Sequence, residues 1–376
     1  MPIYKMQGKK DGKQKYRVRV NYIDSYGKAK QIDRVAYGNE EAKQLERELN
    51  YQLRNQEISE KLTVEQLFDE YIKVKKHEVR ETSLDKTNRI LKRYVLPTFN
   101  KTRIDKITVP MVQKWKQDLS ETDLSYITRK NIYGEFRALI NYAVKMEYIS
   151  KNPVITAGNF KAPLEPKKEM LYYTVDEFKK FIAVAKDHAE ESELNGSIYE
   201  WNYYVFFNIA FFTGMRKGEI YALTWNDIKD NYISITKSVA QKLKGGDRIT
   251  PPKNKSSIRT IQIPKPLQKV LREHHSRCES IDGFKDNMYI CGGIRPIRDT
   301  SLEKINKKFA DLAGVKRIRI HDFRHSHASL LANEGINIQE IARRLGHSKI
   351  SITWETYSHL YPREEERAIK ILDKIV

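Results

Sequence analysis

A break in the helical patterning at residues 152–170 constrains the fold of this chain more than any other feature. The segment NPVITAGNFKAPLEPKKEM contains three prolines and a glycine among several lysines. Proline-rich, charged stretches that interrupt regular patterns are typical of linkers between domains. Since the chain has 376 residues, we predict a multidomain protein with separate cores, in which residues 156–170 are a linker.

Helical patterning fills residues 62–155, before the break, and no strand pattern is visible there. Apolar residues recur at helical spacing, as at Phe136 and Ile140, and Thr63 with Gln66 forms a capping box. Aromatic residues such as Trp115 are expected in the core. We predict a bundle rich in lysine and arginine, with helices at about 63–76, 83–95, 108–119 and 123–148.

The N-terminal segment, residues 1–58, combines strand patterning with strong positive charge. Residues 1–35 contain ten Lys or Arg and three Asp. Residues 15–22 alternate, with Lys15, Arg17 and Arg19 on one face and tyrosines and valines on the other. Residues 30–37 are predicted as the partner strand and residues 39–56 as a helix capped by Asn39. A small sheet backed by a helix follows.

A sheet with a cationic face can lie in a DNA groove, so we predict Lys15, Arg17, Arg19 and Lys30 as DNA contacts. The alternative is a solvated sheet face. The whole chain favours DNA, because its formal charge is +20 and its isoelectric point is near 9.6, values typical of proteins with polyanionic partners.

Composition also limits the environment of the protein. Two cysteines, Cys278 and Cys291, exclude a disulfide framework and a zinc site built from cysteine pairs. The longest apolar run, residues 203–212, is too short to span a bilayer, and no signal-peptide pattern is present. We therefore expect a soluble, cytoplasmic protein without a membrane partner.

Residues 171–376 are predicted to be mostly helical, with Thr174 capping the first helix and strands within 231–263. In TGMRKGEIYALTW (213–225), Arg216 lies at the first turn of a helix, where an anion is favoured. Glu219 is three residues later on the same face and can hold the guanidinium. Two lysines, Lys253 and Lys255, lie in a turn before an alternating strand, and either could protonate a leaving oxygen.

The segment HDFRHSHAS (321–329) concentrates histidine on one helix. His321 and Arg324 share a face, as do His321 and His325, whereas His327 points elsewhere. A metal site is disfavoured, because the glutamate of an HExxH motif is absent and an arginine would repel the ion. An anion site formed by His321 and Arg324 is preferred.

A second candidate segment, LGHSKISITWETYSHL, places His347 after the glycine that ends a short helix and Tyr357 ten residues later. Two arginines, a lysine, two histidines and a tyrosine can transfer a phosphoryl group without a metal. Tyrosine attacks the phosphate, arginines stabilise the transition state, and histidines assist proton transfer and orientation.

The order of these motifs resembles the tyrosine recombinases, in particular the phage and conjugative-transposon integrases of the lambda-integrase class. TGMRKGEI, HDFRHSHAS and LGHSKISITWETYSHL are similar to that family's successive boxes. The resemblance implies an arm-site DNA-binding domain at 1–58, a helical core-binding domain at 62–155 and a mixed α/β catalytic domain at 171–376. The fold class is thus mainly α with small β-sheets.

The resemblance also implies residue roles. Arg216 and Arg324 would bind the scissile phosphate, His321 and His347 would complete the pocket, and Tyr357 would form a 3′-phosphotyrosyl link. Lys253 would protonate the 5′-hydroxyl, with Lys255 open as the alternative. Glu219 would support the pocket, and His325 and His327 are expected to be structural neighbours.

As function, the resemblance implies integration and excision of a mobile element through a Holliday junction, by a homotetramer on double-stranded DNA carrying core and arm attachment sites. No cofactor is expected. An excisionase and a host DNA-bending protein are implied as partners, and the bacterial nucleoid as the location. The C-terminal helix, 362–376, could dock on a neighbouring protomer or on its own domain. A type IB topoisomerase-like enzyme and a purely DNA-binding regulator are the alternatives.

Overall fold

The computed structural model describes residues 3–23, 28–54, 62–162, 170–241, 246–252 and 255–361, together with residues 369, 372 and 373. The chain forms two compact units, Met1–Pro166 and Lys167–Val376. Three hydrophobic cores account for most of their buried apolar residues, two in the first unit and one in the second.

The N-terminal part of the first unit is an antiparallel sheet and a helix. Strands β1 (Ile3–Lys10), β2 (Lys13–Ile23) and β3 (Ala29–Tyr37) lie in that order, and α1 (Asn39–Arg54) follows. Val18 and Val20 are buried with Ala42 and Leu49 of α1. The predicted strands and helix are confirmed. Strand β1 was not predicted, because its side chains are mostly exposed and carry little alternation.

A helical bundle forms the rest of the first unit, as predicted. Its helices are α2 (Val64–Glu78), α3 (Glu81–Tyr94), α4 (Leu96–Phe99), α5 (Val109–Ser120), α6 (Tyr126–Lys145) and α7 (Pro153–Ala157). The capping box of Thr63 and Gln66 is present at the start of α2. Trp115 and Phe136 lie in the core with ring centroids 5.1 Å apart, so these aromatic side chains stabilise the bundle.

Helix α7 lies inside the proline-containing stretch 152–170 that was predicted to break the regular structure. Pro153 fits at its first turn, because that position needs no N–H donor. Val154 and Ala157 are buried in the bundle core, and Phe160 packs against it. The bundle therefore continues several residues into the range predicted as linker, and residues 163–169 lie outside the described part of the chain.

The second unit is built around one apolar helix. The helices are α8 (Val175–Leu194), α9 (Trp201–Thr213), α10 (Lys217–Ala222), α11 (Lys265–Glu279), α12 (Asp299–Leu312), α13 (Asp322–Asn333), α14 (Ile338–Leu345) and α15 (Ile350–Tyr357). Helix α9 contains the whole apolar run 203–212, and nearly all of its residues are buried. Phe207 on α9 contacts Phe181 of α8 and Phe323 of α13. A helix that is apolar on every side is expected at the centre of a core.

The described part of the second unit also contains five short strands, of which all but the first lie within the predicted strand region, 231–263. They are β4 (Ile228–Lys229), β5 (Tyr232–Ile235), β6 (Ser238–Ala240), β7 (Arg248–Thr250) and β8 (Arg259–Gln262). One sheet has the order β4-β5-β8, and β6 pairs with β7. Thr174 caps α8 as predicted, and it forms a capping box with Glu177.

Two glycines fix the backbone where helices end near the candidate site. Gly214, after α9, has φ +64°, and a Cβ atom there would lie 2.7 Å from Cδ2 of His327. Gly346, after α14, has φ +68°, and its Cβ would lie 2.9 Å from Nη1 of Arg259. Both positions therefore require glycine for conformation and for space.

The predicted tail helix, 362–376, lies mostly outside the described residues. Of its apolar residues, Ile369 and Leu372 are described and exposed. None of the described helices has the length and apolar character needed to cross a membrane.

Candidate active site

Arg216 immediately precedes α10, where the sequence predicted an anion-binding arginine. Glu219 Oε1 accepts a hydrogen bond from Arg216 Nη1 at 2.9 Å, and Glu219 Oε2 accepts one from the Arg216 backbone N–H at 3.0 Å. Glu219 thereby caps the helix and holds the guanidinium at the same time. The carboxylate is 3% exposed, so its predicted supporting position is a buried one.

A third arginine, Arg259 on β8, grips the same carboxylate. Arg259 Nη2 lies 3.0 Å from Glu219 Oε2, and Arg259 Nη1 lies 3.3 Å from Glu219 Oε1. Its side chain is only 7% exposed. Arg259 was not among the predicted site residues, because it lies in the alternating strand after the two candidate lysines and no local motif marks it.

The carbonyls at helix C-termini hold all three arginines. Arg259 Nε donates to Arg344 O at 2.7 Å and Arg216 Nη2 to Gly346 O at 3.2 Å, both at the end of α14. Arg324 Nη1 donates to Gly214 O at 2.8 Å, at the end of α9. Such carbonyls lack partners within the helix and carry the negative end of its dipole, so they suit guanidinium groups.

Arg324, on α13, is the most deeply buried of these cations, at 3% exposure. Burial and the charge of Arg216 together lower the pKa of Arg324 to about 9, although Glu219 opposes the change. Within the described part of the chain, its Nη2 atom has no hydrogen-bond partner. An unpaired buried donor on a cation is costly and is best satisfied by an anion.

The charge balance of this cluster favours an anionic ligand. Among the described residues, Arg216, Arg259 and Arg324 act electrostatically on the single carboxylate Glu219 or on one another. Burial raises the pKa of the Glu219 carboxyl. Arg259 and Arg216 more than offset this effect and lower the pKa below its ordinary value. Three positive charges therefore face one negative charge, as suits a phosphate.

The predicted histidines lie around this cluster. His347 follows Gly346, and its Nδ1 lies 2.7 Å from the hydroxyl oxygen of Thr353, a buried residue of α15. Burial and the charges of Arg324 and Arg216 together lower the pKa of His347 to about 4, so this ring is neutral near pH 7. His321 precedes α13, is exposed, and lies edge to face against His325 with ring centroids 5.2 Å apart.

Tyr357, at the end of α15, is 1% exposed and packs with Ala328, Ile341 and Leu345. Its hydroxyl oxygen lies 2.7 Å from Nδ1 of His325. Burial raises the pKa of Tyr357 to about 12, although the charge of Arg324 opposes this. His325 was expected to be only a structural neighbour, and its contact with the tyrosine could not be read from its position in HDFRHSHAS.

His327 has the structural position that was predicted for it. It is 5% exposed, and its Nδ1 donates to Phe211 O at 2.8 Å.

The side chains of the two candidates for the leaving-group lysine lie outside the described part of the chain. Lys253 lies outside the described residues, and Lys255 begins a short 3₁₀ turn, Lys255–Ser257, in which its side chain is not described.

The predicted DNA contacts of the N-terminal sheet divide between its two faces. In the β2–β3 register Arg17 is opposite Val35 and Arg19 is opposite Asp33, whereas Lys30 is opposite Tyr22. Directly paired residues share a face, so Lys30 lies with the valines that contact α1, not with Lys15, Arg17 and Arg19. Arg19 also binds Asp33 through two hydrogen bonds, of 2.9 and 3.0 Å.

Two protein-family models match the chain. The model described as the phage integrase family matches residues 172–364. The model described as the phage integrase N-terminal SAM-like domain matches residues 63–120. The first match covers half of the chain and contains the whole arginine cluster, the histidines and Tyr357.

Individual proteins agree with the family models. The ICEBs1 integrase of Bacillus subtilis (strain 168) is 30% identical over 302 residues, which are 76% of this chain and 76% of that protein. The fold is shared with the Tn1549 transposon integrase, solved in complex with a circular intermediate DNA, at a TM-score of 0.64 and 20% identity over 84% of this chain and all of that one. It is also shared with a lambda integrase dimer bound to a core site, at a TM-score of 0.56 and 16% identity, covering 97% and 95% of the two chains.

Proposed function

The chain belongs to the phage integrase family of tyrosine recombinases, and from this membership we propose how its own residues cut and rejoin DNA. The scissile phosphate binds between Arg216 and Arg324, with Nη2 of Arg324 donating to a non-bridging oxygen. Charge on those oxygens grows in the transition state, so fixed guanidinium groups in a buried site lower the barrier. The observation that carries this proposal is the arginine cluster with an excess of positive charge beside Tyr357.

Tyr357 is the nucleophile in this proposal. Its hydroxyl oxygen attacks phosphorus, forms a 3′-phosphotyrosyl link and releases the 5′ oxygen of the next nucleotide. The bond to tyrosine replaces a phosphodiester of similar energy, so the strand can rejoin to a new partner by the reverse step. His321 and His347 border the pocket and assist orientation and proton transfer.

A lysine of the turn before β8 protonates the leaving 5′ oxygen. We assign this role to Lys253, with Lys255 as the alternative. Substituting each lysine in turn distinguishes them. A variant that lacks the proton donor is compensated when sulfur replaces the 5′ bridging oxygen of the DNA, because sulfur leaves without a proton. The variant whose cleavage of such a substrate is restored identifies the lysine.

The proposed substrate is double-stranded DNA with core and arm attachment sites, in the bacterial nucleoid. Residues 62–155 form the core-binding domain, residues 171–376 the catalytic domain, and the sheet at residues 1–58 binds arm sites through Lys15, Arg17 and Arg19. Four protomers act in pairs on two sites through a Holliday junction and integrate or excise a mobile element. An excisionase and a host DNA-bending protein set the direction.

A nicked suicide substrate tests the proposal. The DNA spans the junction of the element that encodes the chain, and the reaction contains EDTA. Attack by Tyr357 next to the nick releases a short fragment and leaves a protein–DNA adduct that survives denaturing electrophoresis. Tyr357→Phe, which removes only the hydroxyl, forms none. Absence of adduct with the parent chain, or equal adduct with Tyr357→Phe, contradicts the proposal.

A topoisomerase-like activity uses the same chemistry, so a second measurement is needed. Two duplexes of different length that carry the attachment sites give recombinant products of predictable size if strands are exchanged. Relaxation of a supercoiled plasmid without such products favours the topoisomerase alternative.

A further inference from the structure

The nucleophile candidate has a histidine partner that the sequence motifs do not assign. Nδ1 of His325 lies 2.7 Å from the hydroxyl oxygen of Tyr357, and the two ring centroids are 5.8 Å apart. The ring of His321, one helical turn earlier, instead packs against the ring of His325. His325 is therefore the described histidine in direct contact with the attacking atom.

The electrostatic environment leaves His325 neutral. Burial lowers its pKa, and Arg319 and Arg324 lower it further, whereas Asp322 opposes them. A neutral imidazole with its ring proton on Nε2 presents a lone pair at Nδ1. The tyrosine in turn retains its proton, since the pKa of Tyr357 is raised to about 12. A weakly acidic phenol beside a neutral imidazole forms an acid–base pair suited to nucleophile activation.

We propose that His325 accepts the proton of Tyr357 as the tyrosine attacks, and returns it when the strand rejoins. In the forward step the O–H bond of Tyr357 breaks and its proton passes to Nδ1 of His325. The bond between the tyrosine oxygen and phosphorus forms, the bond to the 5′ oxygen breaks, and that oxygen takes a proton from the turn lysine. This inference rests on the proposed function and adds a catalytic residue to it.

The other histidines at the pocket have different partners. Nδ1 of His347 is bonded to Thr353 Oγ1 at 2.7 Å, and the charge of both Arg324 and Arg216 acts on its ring. Those contacts fit a group that binds the phosphate side of the site. The His325 bond could also serve only to satisfy a buried hydroxyl, so the test must separate proton transfer from structural support.

His325→Gln preserves a hydrogen-bonding side chain but cannot accept a proton near neutral pH. We expect its rate of adduct formation on the nicked substrate at pH 7 to fall about 10²–10⁴-fold, the range for loss of a general base. Substitution of the 5′ bridging oxygen by sulfur should not restore it, because sulfur relieves only the need for an acid. The variant that lacks the proton-donating lysine, Lys253 or Lys255, should behave in the opposite way, because sulfur should restore its rate.

The pH profile provides a second, independent readout. Groups facing His325 are Asp322, Arg319, Arg324 and His321 from its helix and the preceding segment, and Tyr357 from α15. Partial burial and neighbouring positive charges lower the pKa of His321 to about 4, and burial with the charge of Arg216 lowers that of Arg324 to about 9, so between pH 6 and 8 His321 stays neutral and Arg324 stays charged. In that range the rate of His325→Gln should rise about tenfold per pH unit, following the phenoxide fraction, while the parent profile is flatter.

Controls separate this inference from folding and from the proposed function. His275→Gln replaces a histidine of α11 whose contacts include Asp286, at 3.1 Å, and no residue of the candidate site, and this variant should cleave like the parent. DNA binding and the melting temperature of His325→Gln are measured on the full chain. If that variant does not fold, His325→Ala with added imidazole replaces it, and rescue that saturates with neutral imidazole supports the proposal.

Each result decides one question. Failure of the parent to form an adduct overturns the proposed function. If the parent cleaves and Tyr357→Phe does not, an unchanged or faster His325→Gln overturns the role of His325. Full rescue of that variant by the sulfur substrate also overturns it, since His325 would then act on the leaving group. A folded His325→Ala that imidazole does not rescue counts against it as well.

Discussion

The two cationic regions of the chain differ in how their charges are held. In the second unit, Lys167–Val376, Arg259 and Arg324 are almost fully buried, and they donate hydrogen bonds to Glu219 and to helix carbonyls. On the N-terminal sheet Arg19 is 34% exposed beside Asp33, which is 42% exposed. Burial fixes geometry and strengthens each interaction, whereas exposure leaves charges that salt screens.

This difference separates two tasks. A catalytic arginine must meet a phosphate at a defined position, so its supports have to be in place before DNA arrives. An arm-binding arginine contributes mainly by neutralising a phosphate and releasing counterions, which tolerates movement. The buried cluster should therefore respond to single substitutions with loss of stability and rate, and the sheet with a change in salt dependence.

Glu219→Gln should have the largest effect on stability. It leaves Arg216, Arg259 and Arg324 without their shared negative charge, and breaking a buried ion pair costs about 3–5 kcal/mol. Urea unfolding of the full chain, followed by tryptophan fluorescence, measures the change. Glu334→Gln, at an exposed position after α13, is the matched control. Equal unfolding midpoints for the two variants would mean that the cluster does not depend on Glu219.

Arg259→Gln tests whether Arg259, which has no proposed contact with the phosphate, positions Arg216, which has one in the proposed mechanism. Arg259 holds Glu219, and Glu219 holds Arg216, so loss of Arg259 should loosen Arg216. We expect cleavage of the suicide substrate to fall about tenfold, equivalent to ~1.4 kcal/mol, with unchanged DNA affinity.

Arg259→Lys and Arg272→Gln complete that experiment. Lysine retains the charge and should restore part of the rate. Arg272, on α11, is not one of the arginines that bind Glu219, so Arg272→Gln controls for the loss of a positive charge elsewhere. A proportional loss of DNA affinity and rate in Arg259→Gln would show that Arg259 binds DNA directly instead.

Acid should lower the free energy of unfolding of the second unit, because this unit contains buried histidines. Burial lowers the pKa of His274 to about 4 and that of His327 to about 3. A histidine whose pKa is lower in the folded state stabilises the fold above its unfolded pKa of about 6.5, and this stability is lost as pH falls toward the folded value. Each contributes about 1.4 kcal/mol per pH unit in that window.

Unfolding free energies at pH 7, 6 and 5 check the sign and the slope. His327→Asn should flatten the dependence if it folds, because asparagine does not titrate. His359→Asn, at an exposed position, should leave it unchanged. Stability that is independent of pH between 7 and 5 would contradict the lowered pKa values.

Some of the candidate site residues lie in local sequence motifs and could be predicted, whereas others come together only through the fold. Arg216, Arg324, His347 and Tyr357 lie in short segments with recognisable spacing. Arg259 approaches Glu219 across 40 positions and His325 approaches Tyr357 across 32, and neither distance is encoded in a local pattern.

The same limit applies to the sheet and the bundle. The alternation of residues 15–22 predicted β2, but the face of Lys30 depends on its register with Tyr22, which no local pattern gives. Strand β1 lacks alternation because most of its side chains are exposed. The prolines of 152–170 suggested a linker, yet Pro153 begins α7, since proline is compatible with a first helical turn.

The smallest expected effect belongs to Arg17→Ala on the N-terminal sheet. Arg17 is opposite Val35, on the face that carries Lys15 and Arg19, and its loss removes about one phosphate contact. The slope of log affinity for arm-site DNA against log salt should fall by about 0.9, and cleavage of a core-site suicide substrate should stay unchanged. Lys30→Ala, on the other face, is the matched control and should change the slope less. If Arg17→Ala reduces core cleavage, or if Lys30→Ala has the larger effect on the slope, the sheet does not bind arm DNA through the face assigned to it.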